Sequence, residues 1–277
     1  MALIGAAAGV VALAAVWWVS HYTGVGKHAD VTILGGFADL TRPRLDQVTT
    51  FVAGLCSPDP YVLLAAVPVA VALLRRRPRV AVLIAVVLLG ANETTELLKP
   101  LLAAPRDPGP FGVLYNATWP SGHATAAMSL ALCMVIAAPA RWRPAVAAAM
   151  AAFAIAVSYS FLELAWHYPS DVLGGFLVAG TWTLLGVAGL SIYEARRVGG
   201  FAEAAARRPR FSVAEALAPT GVVMAVAVVL VGLIALAQPH EVLGYVRDHE
   251  TWVIGAGAIG ALGVLLASGL TMMLRRP

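Results

Sequence analysis

The residues able to do chemistry in this chain lie in three short stretches: Lys99 to Arg106, Pro120-Ser121-Gly122-His123, and Ser160 to Asp171. Together they supply two histidines, His123 and His167, two carboxylates, Glu163 and Asp171, and two cations, Lys99 and Arg106. That set suits an anion that is first bound and then attacked. Asp171 follows His167 by four residues. At that reach a carboxylate accepts the proton of one imidazole nitrogen and leaves the other as a nucleophile. Ser121 is a good helix N-cap, and Gly122 allows close backbone approach. The free amides of such a helix start bind phosphate, and His123 falls in the first turn. Pro169-Ser170 repeats the device before a second apolar run. Arg106 can grip a phosphoryl group through paired hydrogen bonds, and Lys99 can do so as a point charge. Glu163 precedes His167 by one helical turn, within reach of its hydrogen-bond network.

The elements that must position these groups are membrane helices. Of the 277 residues, 60% are hydrophobic and only 12% charged, and the mean hydropathy is +0.81; soluble domains carry about 25% charged residues. The fold class is therefore all-α and integral to a membrane. Runs of about 20 apolar residues span a bilayer. Eight windows qualify: 2–19, 55–74, 79–98, 122–139, 144–164, 171–192, 218–237 and 252–273. The first lacks the basic start of a signal peptide and is expected to stay as a span. Of the 19 Lys and Arg residues, 13 fall in alternate loops: Arg75 to Arg79, Arg141, Arg143, Arg196, Arg197, Arg207 to Arg210, Arg275 and Arg276. The positive-inside rule makes that side cytoplasmic and turns the three polar stretches outward. The net charge of +4 is thus a matter of topology, and no nucleic-acid partner is expected.

The outer segment 20–54 is too long for a plain connector and is expected to hold a short interfacial helix. The division read from the sequence is a core over 1–197, a cytoplasmic linker over 198–217 and a two-helix membrane extension over 218–277. Trp119, Trp166, Tyr115 and Tyr168 read as an aromatic belt, and Trp17 and Trp18 as interface anchors. Glu93 and Glu96 read as polar packing groups. Cys56 and Cys133 fit no metal spacing, and no metal or other cofactor is expected.

The three stretches, K-x6-R at 99–106, PSGH at 120–123 and S-x6-H-x3-D at 160–171, resemble in order and spacing the signature motifs of the type 2 phosphatidic acid phosphatase (PAP2) superfamily, over roughly residues 20–192. The resemblance implies a six-helix core with its site on the outer face; the last two spans are additional to it. It implies His167 as the nucleophile that forms a phosphohistidine, Asp171 as the carboxylate orienting it, and His123 as the general acid. It implies phosphate binding by Lys99, Arg106, Ser121 and Gly122, with no metal. The reaction so implied is hydrolysis of a lipid phosphate or pyrophosphate: a polyprenyl phosphate or diphosphate, phosphatidic acid or phosphatidylglycerol phosphate. The composition, rich in Ala, Val and Arg, fits a GC-rich bacterial source, hence a multi-pass protein of the bacterial plasma membrane acting on the envelope side, with the bilayer and a lipid phosphate as partners. Two alternatives stand beside this. One is a phosphotransferase with a sugar or lipid hydroxyl as acceptor; the other is a non-catalytic lipid-phosphate binder or transporter. Oligomeric state is not legible.

The chain departs from the motifs at two places. Phe161 stands where the third motif has arginine, and Asp107 separates Arg106 from the proline of the first. Losing one transition-state donor costs roughly 10²–10³ in rate, so another cation is expected to substitute. Arg42 and Arg44 of the long outer segment are the accessory candidates, with Arg247 in the last outer loop. If one of the first two fills the gap, Arg42→Ala or Arg44→Ala will lower phosphate release by roughly 10²-fold; unchanged turnover in both variants would remove them from the site.

Overall fold

The structure is a computed structural model and describes residues 1–40, 46–106, 117–198, 200, 212–237 and 239–275. Within these, all regular structure is helical. In chain order the helices are α1 (Ala2–Tyr22), α2 (Gly24–Ala38), α3 (Asp46–Gly54), α4 (Pro58–Leu74), α5 (Pro78–Leu101), α6 (Gly122–Ala137), α7 (Arg143–Glu163), α8 (Pro169–Val198), α9 (Val213–Ala237), α10 (Pro239–Asp248) and α11 (Glu250–Met273). A single 3₁₀ turn, Ala140–Trp142, precedes α7.

Each apolar window carries a helix. The helices α1, α5, α7, α8 and α11 are long and apolar enough to cross a membrane. The window 55–74 is broken: Gln47–Gly54 and Pro58–Leu74 pass the same test together but meet at 56°. The apolar parts of α6 and α9 are shorter. The long outer segment holds two helices, α2 and α3, where the sequence suggested one.

The centre is α6. Its sixteen residues are apolar on every side, and from Ala124 to Ala137 only Met134 is not buried. A helix hydrophobic all round is one that other helices enclose. Here α4, α5, α7, α8 and α11 do so. By contrast α1, whose spanning window is 6% buried, lies against α8 and α2 with most of its surface bare. The helix α11 packs on α7, α2, α6 and α8, and α9 packs on α7 and α11. The last two long helices therefore lie against the core. Much of the linker expected between them and the core falls outside the described residues.

Two local devices set the end of the bundle that carries the polar stretches. First, α7 stops through a Schellman turn: the Trp166 amide bonds the Phe161 carbonyl at 2.9 Å and the Ala165 amide bonds the Leu162 carbonyl at 3.0 Å. Ala165 takes the left-handed position at φ +52°, a conformation usually left to glycine. The turn returns the chain so that His167 sits over the end of α7. Second, the starts of α6 and α8 touch backbone to backbone. The Ser121 amide donates to the Asp171 carbonyl at 3.0 Å. A Cβ on Gly175 would lie 2.7 Å from the Ser121 carbonyl oxygen and 2.9 Å from the Thr125 amide.

That contact admits no side chain, since backbone on both sides must yield. Gly175→Ala is expected to lower stability by about 1–3 kcal/mol, the usual range for overpacking, and to push the two helix starts apart. Thermal unfolding in detergent measures the first effect. Gly189→Ala, where nothing lies within 4 Å, is the control expected to leave the melting temperature within about a degree of the unaltered protein.

Candidate active site

The three polar stretches converge at one end of the bundle. Lys99 ends α5, Gly122 and His123 begin α6, and His167 and Asp171 flank the start of α8. Arg75, Arg79, Arg141, Arg143, Arg196 and Arg197 lie at the opposite helix ends.

The imidazoles of His123 and His167 face each other edge to face, with ring centroids 6.0 Å apart. Phe161, fully buried, packs against both, at 5.9 Å from His123 and 5.3 Å from His167. Trp166 stands 5.7 Å from His123 on the more open side. The position lacking its arginine is thus an apolar wall shared by the two imidazoles.

His167 is oriented from below. Its Nδ1 lies 3.4 Å from Asp171 Oδ2, long for a hydrogen bond, as such bonds often are before substrate tightens them. The assignment of the proton to Nδ1 follows from the carboxylate facing it and leaves Nε2 with a free lone pair. Asp171 is wholly buried. Its Oδ2 also accepts the Tyr168 amide at 3.0 Å, the carboxylate half of a capping box at the start of α8.

Lys99, Ser121 and Gly122 form the other wall. The Lys99 ammonium pairs with Glu96 one turn earlier. A Cβ on Gly122 would lie 3.2 Å from Lys99 Nζ, so glycine lets that ammonium approach the start of α6. Ser121 is buried and uses its Oγ to accept the Ala124 amide at 3.2 Å. Its role in the structure is the helix cap. The amides of Gly122 and His123 precede the first intrahelical bond and are donors at the positive end of α6. Ser57 is the N-cap residue of α4 but does not cap it; its hydroxyl lies 3.4 Å from His123 Nε2.

Arg106 is placed differently from the expectation of a phosphate clamp. Its NH1 donates to Asp30 Oδ2 at 2.7 Å and to Ser170 Oγ at 3.2 Å, and its NH2 donates to Asp171 Oδ1. The guanidinium also covers the ring of Tyr168 at 4.5 Å. Both terminal nitrogens are engaged by carboxylates, and the group is 8% exposed. Its Nε is buried with no hydrogen-bond partner among the described residues. Glu163 accepts from Thr49 of α3 at 3.2 Å, a partner the sequence did not suggest. Arg42 and Arg44 lie outside the described residues.

Two of the belt aromatics are interior groups. Trp119 is 2% exposed and donates to the Ser170 carbonyl at 3.2 Å, and Tyr168 is 1% exposed under Arg106. The Trp119 indole N–H has its partner inside the protein and the Tyr168 ring lies under a guanidinium, so neither is placed at the interface. Tyr115 lies outside the described residues, and Trp166 is 40% exposed. Sequence reasoning missed Asp30, His21 and Ser57. For Asp30 a signal existed: Gly26, Asp30, Ile33 and Phe37 share one helical face and are all buried. Among the described residues no group of His, Cys, Asp and Glu is arranged to hold a metal ion.

With this geometry in place the comparisons can be read. A model of the PAP2 superfamily matches residues 80–191, the span from α5 to α8 that carries all three polar stretches. The fold of this chain is similar to the crystal structure of a transmembrane PAP2-type phosphatidylglycerolphosphate phosphatase from Bacillus subtilis, with a TM-score of 0.57, 20% identity, and coverage of 68% of this chain and 96% of that one. No curated protein matches this sequence. Within the matched segment, His123, His167, Asp171, Lys99 and Gly122 come together, while Arg106 lies beneath them as the partner of two carboxylates.

Asp171 joins Arg106, His167 and the Tyr168 amide. Asp171→Asn keeps the shape, weakens the pairing with Arg106 and presents His167 with the wrong hydrogen-bonding partner. Where an orienting carboxylate is lost in this way, kcat falls by about 10⁴. The expected result is a loss of that order in phosphate release with KM little changed, measured on detergent-purified protein.

Proposed function

We propose that this protein is a membrane phosphatase acting on a lipid phosphate or pyrophosphate through a phosphohistidine at His167. The observation that carries the reading is the pair of facing imidazoles 6.0 Å apart, one backed by a buried carboxylate and the other at a helix start beside Lys99.

The steps follow from those groups. A phosphoryl group enters between the rings, its oxygens near Lys99 Nζ and the amides of Gly122 and His123. His167 Nε2 attacks phosphorus. The P–O bond to the lipid breaks, and the departing oxygen takes a proton from the His123 imidazolium. Water then attacks phosphorus, with His123, now neutral, accepting its proton, and the P–N bond breaks as its electron pair returns to His167 Nε2. Inorganic phosphate leaves and His167 is restored. Asp171 keeps the Nδ1 proton of His167 in place and stabilises the positive charge on the ring while the P–N bond exists. Phe161 shields both rings, and a drier site strengthens each charge interaction within it.

The site lies at the helix ends opposite the arginine-rich ones, which by the positive-inside rule is the extracytoplasmic face of a bacterial plasma membrane. Substrates of the phosphatidylglycerol phosphate, phosphatidic acid or polyprenyl phosphate type present their phosphate at that boundary. The similarity to a phosphatidylglycerolphosphate phosphatase supports the first of these as the initial substrate to test.

Detergent-purified protein incubated with a panel of these lipids is expected to release inorganic phosphate, and His167→Ala to abolish release. Release at the unaltered rate in that variant would overturn the mechanism. Lipid phosphate consumed without free phosphate, but with a phosphorylated acceptor, would make the protein a transferase.

A further inference from the structure

Asp30 belongs to none of the three polar stretches and lies outside the segment matched by the family model, residues 80–191. Yet it is 5% exposed at the foot of the site. Its Oδ2 accepts Arg106 NH1 at 2.7 Å and Ser170 Oγ at 2.6 Å, and its Oδ1 accepts the Ser170 amide at 2.9 Å. Arg106 passes the connection on through NH2 to Asp171 Oδ1, and Asp171 Oδ2 faces His167 Nδ1. An unbroken chain of polar contacts thus runs from α2 to the imidazole.

We propose that Asp30 is a positioning residue for the reaction at His167: it caps the first turn of α8 from outside and holds Arg106 against Asp171, so that the carboxylate behind His167 stays fixed. The inference rests on the reading of His167 as the nucleophile.

Each contact has a consequence. The Ser170 amide is one of the helix-end donors that need an acceptor. Asp30 supplies it from another helix, and with it a negative charge at the positive end of α8. Arg106 has two nearby carboxylates and shares itself between them. Without Asp30 its NH1 is free to turn toward Asp171 or toward an arriving phosphate, and Asp171 loses its single orientation. The charged and titratable groups around the cluster are Arg106 from the segment after α5, Asp171 and His167 at the start of α8, His21 from α1, and Lys27 on α2 itself. Burial pushes the Asp30 carboxyl up to about 6, against the pull of Arg106. Asp30 is therefore charged at neutral pH. His123 of α6 faces the His167 ring across 6.0 Å. Taking the Asp30 charge away removes one negative charge from the surroundings of a histidinium, which moves the loss of its proton to lower pH.

Asp30→Asn and Asp30→Glu separate position from charge. Asparagine keeps the shape and an oxygen for the Ser170 amide; glutamate keeps the charge. The full-length protein is to be measured in detergent by phosphate release across pH and by NMR titration of its histidines, with His167 assigned through His167→Gln. For Asp30→Asn the expected result is a kcat loss of about 10²-fold, a KM change under about threefold, and a shift of both the acid limb and the His167 titration to lower pH. Asp30→Glu is expected to keep both at their unaltered pH. An unmoved His167 titration in Asp30→Asn, whether kcat is unchanged or falls only with the folded fraction, overturns the inference. Absence of phosphate release from the unaltered protein with every lipid would instead count against the proposed function, and the His167 titration would still decide the role of Asp30.

Discussion

The arginine shared between two buried carboxylates is the contact on which the rest of the site depends. Asp30, Arg106 and Asp171 come from α2, from the segment after α5 and from the start of α8, and each is nine-tenths or more buried. None could stay charged there alone, because desolvation of an isolated ion costs several kcal/mol. Once assembled, such a cluster resists the loss of any member: removing one partner of a buried pair typically costs about 3–5 kcal/mol. The geometry of His167 inherits that rigidity. Its immediate partner, Asp171, cannot turn without breaking bonds to Arg106 and to the Tyr168 amide.

The second constraint is the meeting of two helix starts. The first turns of α6 and α8 lie close enough that a glycine, Gly175, must face the Ser121 carbonyl. Helix starts bring unpaired amides, which in a membrane protein have no bulk water to satisfy them. The chain answers each one separately. Ser121 Oγ takes the Ala124 amide, Asp171 takes that of Tyr168, and Asp30 takes that of Ser170. The Gly122 and His123 amides come before the first intrahelical bond and lie beside Lys99, and in the proposed reaction a phosphoryl group would be their acceptor. Capping and binding are here one problem solved with one set of groups.

How much of this was legible depended on whether the signal was local. Long apolar runs announced their helices because hydropathy over about 20 residues is a local sum. The motif residues announced a phosphate chemistry through type and spacing alone, and five of them do converge. What was hidden depended on partners far along the chain. Asp30 looked like one charge in an outer segment, and only its helical register with Ile33 and Phe37 marked it as inward. Trp119 and Tyr168 read as belt residues because the sequence does not disclose that Ser170 and Arg106 would meet them inside. The bend between α3 and α4 was also missed: the window 55–74 was read without Gln47–Gly54, which completes it. Arg106 was read as a phosphate-binding cation, and its two carboxylates could not be foreseen because they lie far from it in sequence.

In the proposed reaction, the placement of Arg106 changes what must stabilise charge during phosphoryl transfer. A guanidinium held by two carboxylates is largely neutralised, and Lys99 is paired with Glu96. Net side-chain charge near the imidazoles is therefore small. Among the described residues the remaining source is the positive end of α6, whose amides act without a counterion. A dipole of that kind is weak in water and strong where water is kept out. That gives Phe161 a physical reason to stand where a cation is expected: an apolar wall against both histidines lowers the local dielectric and raises the worth of the amides and of Lys99. On the proposed function, replacing charge by dryness in this way would also favour ligands that bring their own apolar body to the site, as a phosphate carried on a lipid does and a soluble phosphate ester does not.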